Sequence, residues 1–342
     1  MSGKIQYDFV GIGDTTVDAF IRIKEASVHC ALDHEKCEIC LKFADKIPYE
    51  NVYRIPAVGN AANATVSAAR LRLKSAFVSN VGGDYYGGEC RRVLEQEEVA
   101  SEFVKEHAGR NTNYHYVLWY EDDRTILIKH EEYEYALPDI GSPGWIYLSS
   151  LGENSLPFHD VLAKYLADRK EIKLAFQPGT YQMRFGKEKM AEFYRRAEVF
   201  FCNKEESQRI LKTTEDDIKK LLQMMADEGP KIVVITDGKK GAYAYGSPST
   251  SSGQNSQSKF WFMPPYPDPK PPLERTGAGD AFSSTFTVAL ALGLDIPTAL
   301  RWGPINSMSV VQYVGAREGL LTRSKLEEYL KNAPKDYMPM KI

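Results

Sequence analysis

The sequence contains no run of 18 apolar residues and no large excess of charge of one sign. Its 43 Lys and Arg and 46 Asp and Glu residues give a formal net charge of −3. So small a charge supplies no long-range attraction to nucleic acid or to an anionic membrane. The N-terminal region enters a strand-like pattern, YDFVGIG, without the apolar segment of a signal peptide. We therefore expect a cytoplasmic protein that binds neither nucleic acid nor membranes.

Cysteine is also scarce, with five residues in the chain. In a chain of 342 residues without an export signal, this favours reduced thiols over a disulfide framework. Three of the five, Cys30, Cys37 and Cys40, lie close together, with His29 or His34 beside them. This set has the ligands of a Cys₃His zinc site, which commonly uses a C-x₂-C pair and would staple a short segment. Reduced, partly buried cysteines are the alternative.

Strand and helix patterns alternate along most of the chain, which predicts a parallel sheet with crossover helices. Two segments, at about 21–57 and 109–136, interrupt this rhythm, and the second reads as an aromatic-rich antiparallel hairpin. Two β-rich insertions that pair with each other would form a small sheet over the edge of the first. We expect one α/β domain over residues 1–342, with these insertions as its lid.

The segment TGAGDAF near the C-terminus combines a bare backbone turn, a carboxylate and the start of a helical pattern. The first N–H groups of a helix lack intrahelical partners and favour negative charge. Gly277 and Gly279 would let a phosphate approach them closely. An ionised Asp280 beside that turn is suited to remove a hydroxyl proton during phosphoryl transfer. A glycine-rich turn with a helix-capping aspartate is the alternative.

Two common nucleotide-binding motifs do not match this segment. It lacks the G-K-[ST] ending of the Walker loop. It also lacks the third glycine of the dinucleotide fingerprint and does not follow the first strand, which disfavours a nucleotide-dependent oxidoreductase.

Five motifs in order resemble the ribokinase-like (PfkB) carbohydrate kinase family over essentially the whole chain. They are VGNAANATVSAARL, NVGGDYYGG, NKEE, ITDGKKGAYAY and GAGDAF. The resemblance implies a Rossmann-like three-layer α/β sandwich with a mostly parallel central sheet and a small β-clasp lid. It also implies an ATP-dependent, Mg²⁺-requiring enzyme that phosphorylates a hydroxymethyl group of a sugar.

The resemblance assigns roles at the phosphate end of the site. Asp280 is the expected catalytic base, and the N–H groups of Gly277, Ala278 and Gly279 form the expected anion hole. Asn203 and Glu206 match the N-x-x-E element, which organises Mg²⁺ and phosphates through water; a helix start capped by Asn203 is compatible with that role. The residues matching the nucleotide side are Thr236, Gly238, Gly241 and, in the adenine pocket or else on a helix surface, Asn306.

At the acceptor end, Asp18 matches the carboxylate that accepts hydrogen bonds from two sugar hydroxyls. Asp14 either assists it or caps a turn. Gly59, Asn60 and Asn63 match the segment that binds sugar hydroxyls at a helix N-terminus. The lid aromatics either stack on a nucleobase or pack within the lid; these residues are Tyr114, Tyr116, Trp119 and Tyr120.

Two departures from the family pattern affect function. The family commonly has D-T-x-G-A-G-D, where this chain has Glu274 and Arg275. Because the aspartate usually helps to hold a monovalent cation, activation by K⁺ is in doubt, and the guanidinium of Arg275 is a hypothetical substitute. In FQPGTYQMR, Gln177 replaces the acid of D-P-N-x-R, and Arg184 either reaches a phosphate on the substrate or is a surface residue.

The leading hypothesis is therefore an ATP-dependent sugar kinase. A nucleoside kinase of the same fold is the first alternative. A non-catalytic regulator that binds a sugar or nucleotide on a kinase scaffold is the second. The expected partners are small molecules, with a homodimer through the lid as a further expectation from the family resemblance.

Overall fold

The computed structural model describes residues 6–30, 37–121, 123–246 and 259–342. In these ranges the strands, numbered β1 to β16 in chain order, are Phe9–Ile12, Thr16–Ile23, Ser27–Cys30, Cys37–Cys40, Tyr49–Val58, Ser75–Gly82, Val104–His107, Tyr114–Tyr120, Asp123–Leu127, Trp145–Leu148, Lys173–Phe176, Ala197–Asn203, Ile232–Thr236, Ala242–Gly246, Lys259–Met263 and Met340–Lys341. The helices, α1 to α10, are Asn60–Arg70, Tyr85–Gln96, Leu156–Ala167, Thr180–Phe185, Ala191–Arg196, Lys204–Leu211, Ile218–Asp227, Ala278–Ala291, Ile296–Val310 and Arg323–Lys331. Short 3₁₀ turns occupy Glu153–Ser155 and Gly238–Lys240.

Ten strands form the central sheet, in the order β16-β15-β14-β13-β12-β11-β10-β1-β6-β7. Neighbouring strands from β13 to β7 are parallel, while β13 to β16 pair antiparallel at the other edge. Strand β1, FVGI, is buried along its whole length. A continuous apolar strand is typical of a parallel sheet covered on both faces.

Helices cover the two faces because side chains alternate along each strand. On one face, Ile146 of β10 packs in a cluster with Leu162 of α3 and Leu222 of α7. On the other face, Tyr147 packs with residues of α1, α8 and α9, among them Phe286. The predicted three-layer α/β sandwich with a mostly parallel sheet is confirmed.

A second sheet, in the order β5-β2-β8-β9, forms the lid. Strands β2 and β8 are parallel, and β5 and β9 flank them antiparallel. Phe20, Ile55, Val58 and Val117 are buried together on this sheet. Strands β5, β8 and β9 fall in the predicted lid insertions, whereas β2 begins at Thr16, before residue 21. The structure thus contains the predicted small lid, which also includes the strand that carries Asp18.

Strands β3 and β4 form a separate hairpin, and its cysteines differ from the prediction. Cys30 and Cys37 are register partners across the hairpin and form a disulfide. Their sulfurs therefore do not supply the thiolates of the predicted zinc site, and that hypothesis is wrong for this structure. His29 is exposed and contacts Ser27, and His34 lies outside the described residues. The predicted free thiols are found at Cys40, Cys90 and Cys202.

Five adjacent parallel strands bring polar residues to one edge of the central sheet. Asp14 follows β1, Ser149 follows β10 and Gln177 follows β11, while Asn203 and Thr236 end β12 and β13. In open α/β sheets, ligands bind at this carboxyl edge of the strands. Across the described ranges, no helix has both the length and the apolar character needed to cross a bilayer.

Candidate active site

The turn before α8 requires glycine at its first position. Gly277 has a φ of 82°, in the left-handed region, and caps the helix. A Cβ there would lie 2.3 Å from Cβ of Ala316. At Gly279, a Cβ would meet no atom within 4 Å, and this residue lines two adjoining cavities. The N–H of Ala278 approaches the carbonyl of Arg275 at 3.5 Å. The turn therefore opens the helix N-terminus to a ligand at Gly279, while Gly277 permits its close packing.

Asp280 lies in the first turn of α8, where it is 9% exposed. Its Oδ1 accepts hydrogen bonds from Nδ2 of Asn60 at 3.1 Å and from Nε2 of Gln177 at 3.2 Å. Its Oδ2 accepts from Nδ2 of Asn63 at 2.9 Å. Burial raises the pKa of Asp280 to about 6 against the opposing effect of these donors, with a smaller upward contribution from the carboxylate of Glu206. A carboxylate with a pKa near 6 is ionised at neutral pH and basic enough to accept a proton.

Gln177 was identified in the sequence only as a departure, yet it contacts the expected base. The hydroxyl of Tyr147 donates to its Oε1, which turns its Nε2 towards Asp280. The buried Tyr147 has a raised pKa, first through burial and then through the charge of Asp280. No local sequence pattern indicates this role, because Tyr147, Gln177 and Asp280 come from three separate parts of the chain.

Activity is expected to fall as pH decreases through about 6, because protonation of Asp280 removes the base. Gln177→Leu removes one donor to the ionised carboxylate and so raises the pKa of Asp280 further. We expect the acidic limb of kcat/KM for the acceptor to move to higher pH, by up to about one unit. Gln223→Leu, on the surface of α7, is the matched control. An unchanged midpoint in Gln177→Leu would contradict this assignment.

The turn before α8, residues 276–279, is called the anion turn below. Two cavities of about 280 Å³ each meet there. The first is mostly apolar, and its lining includes Gly238, Gly241, Tyr266, Pro304 and Met308. The second is polar, and its lining includes Asn60, Gln177, Asn203, Glu206 and Asp280. Thr236, Arg275 and Gly279 line both. The residues predicted for the phosphates, together with Thr236, Gly238 and Gly241 from the nucleotide side, therefore surround one continuous region.

Asn203 and Glu206 form a capping box at the start of α6. The side chain of Asn203 accepts from the N–H of Glu206 at 2.8 Å, and Oε2 of Glu206 accepts from the N–H of Asn203 at 2.9 Å. Burial raises the pKa of Glu206 against the opposing hydrogen bond from Asn203. The helix-start reading of NKEE is therefore confirmed, and both residues also line the polar cavity.

Asn306 is neither among the residues that line the apolar cavity nor on the helix surface, so it differs from both predicted placements. It is fully buried; its Nδ2 donates to Oγ1 of Thr285 at 2.7 Å and its Oδ1 accepts from the N–H of Leu321 at 2.9 Å. The helical phase explains the difference, because Pro304, Ser307 and Met308 line the cavity from neighbouring positions on α9. Asn306 instead ties α9 to α8 and to the loop before α10.

The predicted acceptor residues lie in the loop after β1, on β2 and at the start of α1. Both carboxylate oxygens of Asp14 accept from the hydroxyl of Tyr135, at 3.0 and 2.9 Å. Asp18, on β2, is 7% exposed. Gly59 has a φ of 118°, and a Cβ there would lie 2.7 Å from the carbonyl oxygen of Asp14. Glycine therefore lets the start of α1, which carries Asn60 and Asn63, approach the loop of Asp14.

Two histidines that the sequence interpretation missed complete this region. Nδ1 of His115 lies 3.3 Å from Oδ1 of Asp18, and Nδ1 of His130 lies 3.4 Å from Oδ2 of Asp14. The two imidazole rings are 5.2 Å apart. The position of His115 in the lid hairpin, between Tyr114 and Tyr116, could have been a signal for it. Its pairing with Asp18 across two strands is not visible in the sequence.

Comparison with known proteins agrees with this geometry. Residues 25–323 match the profile of the pfkB family carbohydrate kinases. The chain belongs to the PfkB family. The nucleoside kinase of Methanothermobacter thermautotrophicus is 25% identical over 266 residues, which cover 77% of this chain and 80% of the relative. The ribokinase of Bacillus subtilis is 26% identical over 280 residues, covering 80% and 87%. The Arabidopsis thaliana ribokinase complexed with ribose and ATP has the same fold, with a TM-score of 0.74 at 19% identity, covering 96% and 99%.

In this PfkB-family kinase, the anion turn is held in place by residues that do not belong to the D-T-x-G-A-G-D pattern common in the family. Glu274 is 1% exposed; its Oε2 accepts from the N–H of Thr276 at 2.7 Å, and its Oε1 accepts from the N–H of Gly315 at 3.0 Å. Burial raises the pKa of Glu274, against the opposing bonds from Thr276 and Gly315. Arg124, on lid strand β9, donates from Nε to Oγ1 of Thr276 at 3.1 Å. The lid therefore touches the anion turn directly, and Arg124 lines the polar cavity.

Proposed function

We propose that this PfkB-family kinase transfers the γ-phosphoryl group of ATP to a hydroxymethyl group of a sugar. The observation that carries the proposal is the environment of Asp280. This buried carboxylate accepts three amide hydrogen bonds, faces the polar cavity and lies in the first turn of α8. A base and a helix N-terminus side by side are what phosphoryl transfer to an alcohol requires.

In the proposed reaction, Asp280 removes the proton of the acceptor hydroxyl while that oxygen attacks the γ-phosphorus. The bond between the γ-phosphorus and the β–γ bridging oxygen breaks, and ADP leaves. The amide donors Asn60, Asn63 and Gln177 hold the carboxylate in position for this proton transfer. The N–H groups at Gly277 and Gly279 stabilise charge on the transferred group.

The two adjoining cavities suit ATP in size and polarity. The apolar cavity, next to Tyr266 and Met308, fits a nucleobase, which sites of this kind enclose between apolar side chains. The polar cavity fits the triphosphate, because it leads from Thr236 to the anion turn. Arg124 and Arg275 both line it and place positive charge where the phosphates would lie.

The donor set also fits Mg²⁺, as the family resemblance implies. Glu206 and Asp280 face the same cavity, and the charge of Glu206 contributes to the raised pKa of Asp280 after burial. A divalent cation on the phosphates would relieve this repulsion. Bound through water by Glu206 and Asn203, Mg²⁺ would neutralise charge on the nucleotide oxygens.

A sugar is favoured over a nucleoside because Tyr114 and Trp119 pack against other residues and Tyr116 faces solvent. Tyr114 packs 5.0 Å from the ring of Tyr86, and Tyr116 is 49% exposed. Trp119 lies beneath the guanidinium of Arg22, 4.2 Å from it. His115 lies beside Asp18, whereas its neighbours Tyr114 and Tyr116 are on the opposite face of β8. Phosphorylation of a nucleoside remains the alternative, and the nucleoside kinase relative keeps it open.

We further propose a homodimer through the lid. The face of the lid sheet opposite Phe20 exposes large apolar residues, namely Tyr49, Val52, Tyr116 and Leu127. Exposed apolar surface of this extent is typical of protein–protein contacts. Analytical ultracentrifugation of wild type and Tyr49→Lys would test it, and a monomeric wild type would reject it.

We also propose that K⁺ does not activate this kinase. Both oxygens of Glu274 are bonded to backbone N–H groups, and Arg275 supplies a fixed positive charge at both cavities. Turnover should be nearly the same in KCl and in NaCl of equal ionic strength. Arg275→Thr should be slower and should regain activity with K⁺, whereas the surface variant Arg195→Thr should behave as wild type. Strong K⁺ dependence of the wild type would reject the proposal.

An ATP-consumption assay with pentoses, hexoses and nucleosides, with mass spectrometry of the products, tests the proposed function. We expect transfer of one phosphoryl group to at least one sugar. Transfer to nucleosides alone would favour the nucleoside kinase. Binding of a sugar or nucleotide without turnover of any acceptor would favour the non-catalytic regulator.

A further inference from the structure

The acceptor region contains buried polar atoms without hydrogen-bond partners. In the part of the chain that the structure describes, ten side-chain N or O atoms are of this kind. Four of them are Asp18 Oδ1, Asn63 Oδ1, His115 Nε2 and His130 Nδ1. A buried polar group left unpaired is destabilising, so such a concentration calls for a ligand that satisfies these atoms.

Two of these atoms, Asp18 Oδ1 and His130 Nδ1, belong to two carboxylate–imidazole pairs, and His115 Nε2 is on the imidazole ring of the first pair. His115 and Asp18 are register partners on the parallel strands β8 and β2, with Nδ1 3.3 Å from Oδ1. His130 and Asp14 stand 3.4 Å apart, Nδ1 to Oδ2. Although each pair is this close, Asp18 Oδ1 and His130 Nδ1 have no hydrogen-bond partner. Each pair therefore offers an anionic acceptor and an imidazole within reach of one further group.

The chemistry of each pair fits a hydroxyl. A hydroxyl donates one proton and accepts through two lone pairs, so it can donate to the carboxylate and accept from an imidazole N–H. A carbonyl or an ether oxygen has no proton for the carboxylate, and an ammonium group has no lone pair that could accept from an imidazole N–H. With the rings 5.2 Å apart, the two pairs suit two hydroxyls of one small molecule.

Neighbouring groups hold the histidine of each pair in place. The chain next to His130 is fixed by Asn113, whose Oδ1 accepts from the N–H of Glu131 at 2.8 Å. The ring of Tyr181 meets that of His130 edge-on, with centroids 5.6 Å apart. His115 is fixed by its position in the middle of the lid sheet.

We propose that His115 and His130 are specificity-determining residues, each of which binds, together with Asp18 or Asp14, one hydroxyl of a polyhydroxylated sugar acceptor. This inference rests on the proposed function and goes beyond it, because it assigns recognition of two separate hydroxyls to two lid histidines. A sugar lacking either hydroxyl leaves a buried carboxylate and imidazole unpaired, a loss that sites of this type penalise heavily.

The first test uses the wild-type protein and needs no substitution. D-Ribose, D-fructose and D-glucose are assayed first, and the fastest is then compared with its monodeoxy analogues. We expect loss of kcat/KM by about 100-fold or more for two of the analogues and a small effect for the others. Equal activity with all analogues would overturn the proposal. Where none of the three is phosphorylated, the other pentoses and hexoses of the substrate panel replace them, and transfer to no sugar would reject the proposed function and this inference with it.

The second test separates recognition from structure. His115→Leu and His130→Leu should raise KM for that sugar by about 100-fold, while KM for ATP stays near the wild-type value. In each variant the analogue lacking the matching hydroxyl should lose no further activity. His107→Leu, which removes a half-buried histidine bonded to Asn80, is the matched control. Unchanged KM for the sugar in both variants would overturn the proposal while leaving the kinase function intact.

Discussion

Replacing Asp280 with asparagine is expected to lower kcat by about 10²–10⁴, the usual contribution of a general base. Asparagine keeps the size of the side chain but has no basic carboxylate, so the acceptor hydroxyl keeps its proton during attack. ATP should still bind, because the apolar cavity and the N–H groups of the anion turn are unchanged.

Steady-state kinetics and calorimetric titration with ATP distinguish these effects. The same exchange at Asp160, which is exposed on α3, is the matched control and should leave kcat unchanged. Retention of kcat within about tenfold in Asp280→Asn would be too small a loss for a general base and would reject the assignment.

The two glycines of the anion turn are expected to respond in opposite ways to alanine. In Gly277→Ala, the new methyl group meets Ala316 at 2.3 Å and the backbone must keep a φ of 82°. Strain and overpacking together should lower the free energy of unfolding by about 1–3 kcal/mol. In Gly279→Ala, no atom lies within 4 Å of the new methyl group, so stability should not fall.

Activity should nevertheless fall in Gly279→Ala, because the methyl group fills the space through which a phosphate reaches the helix N-terminus. We expect kcat/KM for ATP to fall by about 10²–10³, comparable to loss of one donor to a developing charge. Thermal unfolding without nucleotide and steady-state kinetics with ATP measure the two effects. A stable Gly277→Ala with a destabilised Gly279→Ala would contradict the geometry of the turn.

The sequence predicts the layered fold well because its signals are local. Buried strands such as FVGI and the small-residue helix that follows Gly59 have periodicities that one segment alone determines. The same holds for Asp280, because the turn, the carboxylate and the helix are contiguous in the chain. Local patterns thus predict the position of the expected base and the parallel sheet with crossover helices, whereas the three-layer arrangement is implied by the family resemblance.

Other features depend on contacts that no single segment contains. The alternation of side chains along β8 does not show which face of the strand points towards the acceptor site. The sequence therefore gives no reason to prefer His115 to Tyr114 as a residue that contacts the acceptor. Asn306 and Ser307 are neighbours on α9. Their directions around the helix axis alone determine that Asn306 forms a buried hydrogen bond and Ser307 lines the cavity. The cysteine pattern predicts either zinc ligands or reduced thiols, and only the hairpin register, which pairs Cys30 with Cys37, leads to the disulfide.

The hydrogen bond from Asn60 to Asp280 joins residues 220 positions apart, and that from Asn63 joins residues 217 apart. Closing so long a loop carries a large entropic cost, which local structure does not repay. During synthesis, α1 is complete long before Asp280 leaves the ribosome. The nascent chain therefore stays catalytically silent until its last third docks on its first, and appearance of activity reports the end of folding rather than its beginning.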